Sequence, residues 1–391
     1  MKIAYLLTQE LGGLPHYTAE LVNAVAENHD CYVLKPEKTT GDDMFSEDVT
    51  LVDCFAPMGV SNANVSTGNI DILQFLRGFF SYRNVNKLHD IDPDVVHITT
   101  YLLPQVRWFL HRYDIDEKYP IAVTFHNTDF NIIRGGPGTH MTTRIKNFLN
   151  LFAPDVDVDA AIVHRNGNAE DLIKEERYSL SEISVIPHGA FNHFATYDYE
   201  EKTTEEHTLL AFGNIVPAKS IETIIKAIPM IGEEVPDIKL IIAGEGKIPE
   251  KAMKIIDANP EWFELHNSYI PNNEVGTYFS RASLFVIPNR KQKGQSGTLT
   301  IAYSFGLPVV STNVGPFPEM VGQKGTGLMV EPQQPAEMAE AVVQVLQDRS
   351  LYDRMAENAR AMSEEISWSN IAKEHIETYE RIATKMKYEN Q

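Results

Sequence analysis

The chain has 391 residues, 43% of them apolar and 23% charged, the make-up of a folded protein long enough for two domains; collagen-like, low-complexity and largely disordered classes are excluded. Asp and Glu number 54 against 34 Lys and Arg, a formal charge of -20, so the surface repels phosphate backbones and no nucleic-acid partner is expected.

Short apolar runs at 3–7, 31–34, 51–55, 95–98, 121–125, 160–163 and 184–186 read as strands, with helical patterns between them at 16–27, 71–89 and 142–152. Strands apolar throughout and separated by helices are parallel and covered on both faces. After Pro187-His188-Gly189 the chain turns polar, and five acidic residues between Tyr197 and His207 mark a linker at 196–207. A second alternation follows, with strands at 209–212, 240–243, 263–266, 284–287 and 309–311 and closing helices at 335–347, 351–365 and 368–385. The expected architecture is α/β, two tandem Rossmann-like doubly wound domains at 1–195 and 208–366, with the helix of 367–391 packing back on the first. Such sheets take ligands beyond the carboxyl ends of their strands, so two facing sheets would form one central cleft.

Two cysteines, Cys31 and Cys54, cannot build a disulfide framework and read as buried thiols of a reducing cytosol. The apolar start, 3–7, is too short for a signal peptide, and no run reaches the roughly 18 residues of a membrane span. The expected location is cytoplasmic.

The strand ends carry the chemistry. After the first strand, Gly12-Gly13-Leu14-Pro15 leads into a helix, where missing side chains serve either a tight turn or the approach of an anion to the helix N-terminus. After the first strand of the second domain, Gly213 to Lys219 places a lysine at a helix entrance, where the dipole opposes it unless an anion sits there too. Further on, Arg290, Lys291 and Lys293 precede Gln295-Ser296-Gly297-Thr298, which opens a helix whose free N–H groups and hydroxyls suit a phosphate. For each cation, a solvated surface position is the plain alternative.

Taken together, Gly12-Gly13, Thr124-Phe125-His126, Val185 to Gly189, Gly213 to Lys219, the run from Ala302 to Gly315, Pro318-Glu319 and Gly325-Thr326-Gly327-Leu328 resemble retaining nucleotide-sugar glycosyltransferases with two Rossmann-like domains, the GT-B form, of the group 1 and family 4 kind. The resemblance spans nearly the whole chain. It implies a nucleotide-sugar donor held mainly by the second domain, through Gly213, Lys219, Gln295, Ser296, Gly297 and Thr298. A glycan or lipid-linked acceptor is implied for the first, beside the Gly12 and Gly13 loop. His126 matches the family's cleft histidine, which touches the transferred sugar and is the expected catalytic residue. Lys219 matches a cation on the donor diphosphate. No cofactor is implied, the nucleotide sugar being a co-substrate, and no metal; histidines are scattered and no Cys pair or carboxylate pair stands at a strand end.

Two departures stand out. The family's two glutamates fall on Lys293 and Ile301, and the arginine after the turn glycine is Asn214. The Gln-Ser-Gly sequence resembles a variant of the first glutamate site, in which Gln295 or Thr298 would bond sugar hydroxyls. A catalytically silent binding or regulatory partner is the alternative these departures suggest. His97, His164 and His188 follow strands and read as structural, Trp368 as packing, and Asp129 and Arg134 as an acceptor contact or a solvated loop. Finally, no acidic residue lies between Ile72 and His89, while Arg77, Arg83 and Lys87 stand among Phe75, Leu76, Phe79, Phe80 and Tyr82. The mixture recurs at Arg107, Trp108, Phe109 and Arg112, and at Arg144, Lys146, Phe148 and Phe152, which suits peripheral contact with an anionic membrane as well as it suits ordinary buried helix faces.

Overall fold

The structure is a computed structural model describing residues 1–56, 72–100, 102–126, 152–175, 177–195, 204–292 and 294–389. The chain divides into two compact units, Met1–His188 with Trp368–Gln391, and Gly189–Ser367.

The first unit holds a parallel sheet of β1 (Lys2–Leu6), β2 (Asp30–Pro36), β3 (Val49–Phe55), β4 (Val95–Ile98), β5 (Ile121–Phe125), β6 (Ala160–Val163) and β7 (Ile183–Val185), in the order β3-β2-β1-β4-β5-β6-β7. Both faces are apolar because alternate side chains point opposite ways. Ile3, Tyr5 and Leu7 enter a core with Tyr17 and Leu21 of the helix Gly13–Ala26, while Ala4 and Leu6 enter another with Tyr82, Val85 and Leu110. The helix Trp368–Glu389 closes the first of these cores through Trp368, Ile371, Tyr379 and Ile382.

The second unit holds β8 (Thr208–Phe212), β9 (Lys239–Ala243), β10 (Phe263–His266), β11 (Leu284–Ile287), β12 (Val309–Thr312) and β13 (Gly327–Val330), all parallel, in the order β10-β9-β8-β11-β12-β13. Ile224, Ile228 and Val342 cover one face, and Phe279, Leu299 and Tyr303 the other.

Three expectations need correction. The first unit's leading portion ends at His188, not 195, because Asn192 is tied by Oδ1 to the hydroxyls of Ser304 and Ser363 in the second unit. The stretch expected as one helix at 71–89 splits into Ile72–Ser81, a 3-10 helix at Tyr82–Lys87 and a short turn of helix at Leu88–Ile91. Its buried residues Tyr82, Val85 and Leu88 are three apart, the period that a 3-10 helix aligns. Strand β13 was not expected, being four residues long and opened by a glycine whose added Cβ would lie 1.9 Å from the Val309 carbonyl oxygen. The expected helix at 142–152 lies outside the described residues except for Phe152.

Candidate functional site

Both sheets reverse their strand order beside their first strand, the place where doubly wound folds take ligands. In the second unit a 210 Å³ cavity opens there, between the chain leaving β8 and the chain leaving β11, lined by Gly213, Asn214, Lys219, Asn289, Gln292 and Gln295 through Thr298. Gly213 has φ +101°, and a Cβ on it would stand 2.6 Å from Lys219 Nζ and 3.3 Å from Thr298 Cγ2. The missing side chain lets the ammonium sit over the backbone. Lys219 ends a 3-10 turn begun by Pro217, and its Nζ donates only a long 3.4 Å bond to the Phe212 carbonyl. Burial pushes its pKa down to about 8. Among the described residues it is the cation that lines this cavity, and no carboxylate pairs with it.

The basic loop does something else. The Arg290 and Lys291 backbone N–H groups both donate to the Ala218 carbonyl, at 2.9 and 3.4 Å, so the loop braces the lysine turn while its two side chains stay exposed. Lys293 lies outside the described residues. Gln292 clamps the loop, accepting from Asn289 Nδ2 at 3.0 Å and donating to the carbonyls of Gly294 and Gln295. Sequence reasoning passed over Asn289 and Gln292, although two amides three apart after a buried strand are a signal for a braced loop. The helix Gly297–Ser304 starts against Phe191, since a Cβ on Gly297 would lie 2.8 Å from that ring. Ser296 makes no side-chain capping bond and its hydroxyl meets Thr298 Oγ1 at 3.2 Å, while its carbonyl accepts from Leu299 and Thr300 N–H at 3.1 and 3.3 Å, which leaves the N–H groups of Gly297 and Thr298 to a ligand. Ile301, one turn on, is buried in the apolar core and does not line the cavity.

In the first unit, a hydroxyl cluster fills the reversal between β1 and β4: Thr8 bonds Thr100 at 2.6 Å and Thr18 bonds Thr99 at 2.7 Å. Alongside it, His126, His164 and His188 stand in a row beyond β5, β6 and β7, with neighbouring ring centroids 4.9 and 5.3 Å apart. Tyr17 packs against all three and against Trp368, at 4.7 to 5.5 Å, and its hydroxyl meets His375 Nε2 at 3.3 Å. His126, half-buried, bonds the Thr99 carbonyl through Nε2 at 2.8 Å and His164 Nε2 through Nδ1 at 3.1 Å. Burial pushes the His126 imidazole down to about 3 and that of His375 to about 4. His97 is structural, bonded to the Tyr379 hydroxyl at 2.7 Å and to Thr124 Oγ1 at 2.8 Å. Gly12 precedes the helix Gly13–Ala26 with φ +89°, and a Cβ on Gly12 or Gly13 would meet nothing within 4 Å, so space for a ligand is open there. Asp129 and Arg134 lie outside the described residues. Among the described residues no three His, Cys, Asp or Glu are grouped to hold a metal ion, and no helix is long and apolar enough to cross a membrane.

Residues 11–190 match the model for Glycosyltransferase Family 4, and residues 206–348 that for Glycosyl transferases group 1. The chain carries two glycosyltransferase domains. An N-acetyl-alpha-D-glucosaminyl L-malate synthase of Bacillus anthracis is 23% identical to it over 272 residues, 68% of this chain and 69% of that protein. An uncharacterized glycosyltransferase of Haemophilus influenzae is 26% identical over 174 residues, 44% of this chain and about half the relative's length, 48%. Among solved structures, Anabaena HepE in complex with UDP has a TM-score of 0.68 at 14% identity, covering 97% of this chain and 100% of that one. The likeness is one of fold, the GT-B form of two Rossmann-like domains. In this chain the group 1 domain contains the Lys219 cavity and the family 4 domain contains the histidine row.

Proposed function

We propose that the chain transfers a sugar from a nucleotide-sugar donor to a glycan, lipid-linked or small-molecule acceptor, with retention of configuration and without a metal ion. The observation that carries this is the Lys219 ammonium, short of counter-charge above Gly213 and opposite the open N-terminus of the helix Gly297–Ser304. A diphosphate supplies the missing charge to both. In this reading Lys219 and the N–H groups of Gly297 and Thr298 hold the diphosphate, Gln295 and Thr298 meet sugar hydroxyls, and the lysine stabilises the charge that develops on the leaving nucleotide. His126 is assigned to the transferred sugar, and the Gly12–Gly13 loop to the acceptor or the diphosphate.

A thermal-shift screen with UDP, GDP, ADP and their sugars tests the assignment, since a ligand at 100 times its Kd stabilises by about 2.7 kcal/mol. No stabilisation by any of them refutes it. A silent binding protein is the second reading, favoured by Ile301, which is sunk in the core at the position where the family has a carboxylate. Nucleotide-sugar binding with no detectable hydrolysis or transfer would support that reading instead.

For the acceptor we propose a lipid-linked molecule met at an anionic bilayer. Leu76 and Phe80 are exposed on the helix Ile72–Ser81, and Trp108 on the adjoining helix Pro104–Arg112, where Phe79 and Phe109 pack at 6.0 Å. Arg77, Arg83 and Arg112 are exposed around them, in a chain of net charge -20. Each such cation contributes about 1 kcal/mol near an anionic surface. The protein should float with phosphatidylserine vesicles at low salt, and a triple Arg77→Glu, Arg83→Glu, Arg112→Glu variant should not. Equal flotation of both, or of neither, removes the bilayer and leaves a soluble acceptor.

A further inference from the structure

The contacts of His126 and His164 do not balance for two neutral rings. His126 Nε2 lies 2.8 Å from the Thr99 carbonyl oxygen, and His164 Nδ1 lies 3.0 Å from that of Ile186. A carbonyl only accepts, so each of these nitrogens carries its hydrogen. A neutral imidazole has one N–H, already used in each ring. His126 Nδ1 and His164 Nε2, 3.1 Å apart, would then face each other lone pair to lone pair, and the contact needs one more proton between them.

We propose that His126 and His164 form one functional group sharing a single extra proton, in which His164 is the positioning residue that fixes the tautomer and angle of His126. The assignment of His126 to turnover rests on the transferase reading; the pairing itself does not. Burial opposes a charge on either ring, while the Thr99 and Ile186 carbonyls favour it. To these the partner ring adds a third acceptor for the shared proton. The groups facing the pair are His188, 5.3 Å from His164 and 6.3 Å from His126; Tyr17, from the helix Gly13–Ala26; and His375, from the helix Trp368–Glu389. Burial keeps Tyr17 and His375 from charging, a charge on His188 would push both rings down, and among the described residues no carboxylate acts on either ring. A second proton is therefore excluded, and the single charge fades as pH rises through the pair's own titration.

Histidine-selective 15N labelling of the full chain counts the protons directly. The expected result at the acid end of the titration is three N–H groups across the two rings, with His126 protonated at Nε2 and one titration common to both, complete below the ordinary histidine range because burial lowers both imidazoles. Two neutral rings, or His126 protonated at Nδ1 alone, overturn the proposal. His164→Gln keeps an N–H donor that cannot titrate, so His126 should hold its tautomer and lose the coupled step. His164→Leu should shift the His126 titration by more than about one pH unit. If the leucine variant fails to fold, the wild-type count and the glutamine variant still decide. In turnover of a donor found by the nucleotide screen, His164→Leu should lower kcat by about a hundredfold with donor KM little changed, and His164→Gln should recover most of it without the alkaline fall. A leucine variant with unchanged kcat overturns the positioning role. No turnover by any chain, the wild type included, counts against the transferase reading and leaves the proton count to judge the pair.

Discussion

Replacing Gly213 by alanine separates backbone strain from ligand recognition at the cavity. The residue has φ +101°, and the new Cβ would stand 2.6 Å from the Lys219 ammonium, about 1 Å inside an ordinary contact. Holding an L residue in that backbone region costs about 1–3 kcal/mol, which urea denaturation should register as lost stability. The lysine end is flexible and the backbone is not, so the ammonium moves. Displacing it weakens a charge-assisted bond to a diphosphate worth about 1.5–3 kcal/mol, or tenfold to over a hundredfold in affinity. Calorimetric titration with UDP and GDP reads that loss in Gly213→Ala, in Lys219→Ala and in the double variant. Both single changes act through one ammonium, so the double variant should bind no more weakly than Lys219→Ala. Strictly additive losses, or wild-type affinity in Gly213→Ala, would refute the idea that this glycine exists to seat the lysine.

Because burial brings the Lys219 pKa to about 8, nucleoside diphosphate affinity should decline above that pH in the wild type, stay flat in Lys219→Ala and persist in Lys219→Arg. The unfolded chain binds this proton more tightly, so wild-type stability should rise relative to Lys219→Ala between pH 8 and 10.5, as checked by urea midpoints. His126→Ala should abolish or severely reduce transfer while leaving nucleoside diphosphate binding nearly intact; near-normal turnover by the folded variant would dismiss it. Arg281 bonds Glu205 and Glu264 at 2.7 Å and holds the Glu264 carboxyl down at about 2. Arg281→Ala should cost about 1 kcal/mol at neutral pH, a difference that is in place above pH 4.5 and shrinks as pH falls toward 2.

The strands were legible because a sheet buried on both faces leaves few polar positions to blur the run, and β4, β5, β6 and β11 begin and end on apolar residues. Strand β13 was not, since Gly327 and Leu328 read equally well as a loop. The cavity residues Gly213, Lys219 and Gln295 through Thr298 stood out because strand-end glycines and a lysine at a helix entrance are locally anomalous. Tyr17 and the pairing of His126 with His164 left no such trace. Their meaning lies in contacts such as Tyr17 to His375, 358 positions apart, which no local pattern encodes. The backbone role of the loop left no trace for the same reason: that Arg290 and Lys291 brace through their N–H groups is decided by the position of Ala218.

The first unit is built from both ends of the chain, with the whole second unit inserted before Trp368. On the ribosome the first sheet emerges early, but the helix that covers Tyr17, Tyr5 and Ile3 is made only after the whole second unit. At about 5–20 residues per second, tens of seconds or less separate the exposure of that face from its closure. A nascent chain stopped between Val330 and Trp368 contains all the strands described for both sheets and still lacks the lid on one core. The second unit can finish folding during this interval, while one core of the first stays open until that helix emerges.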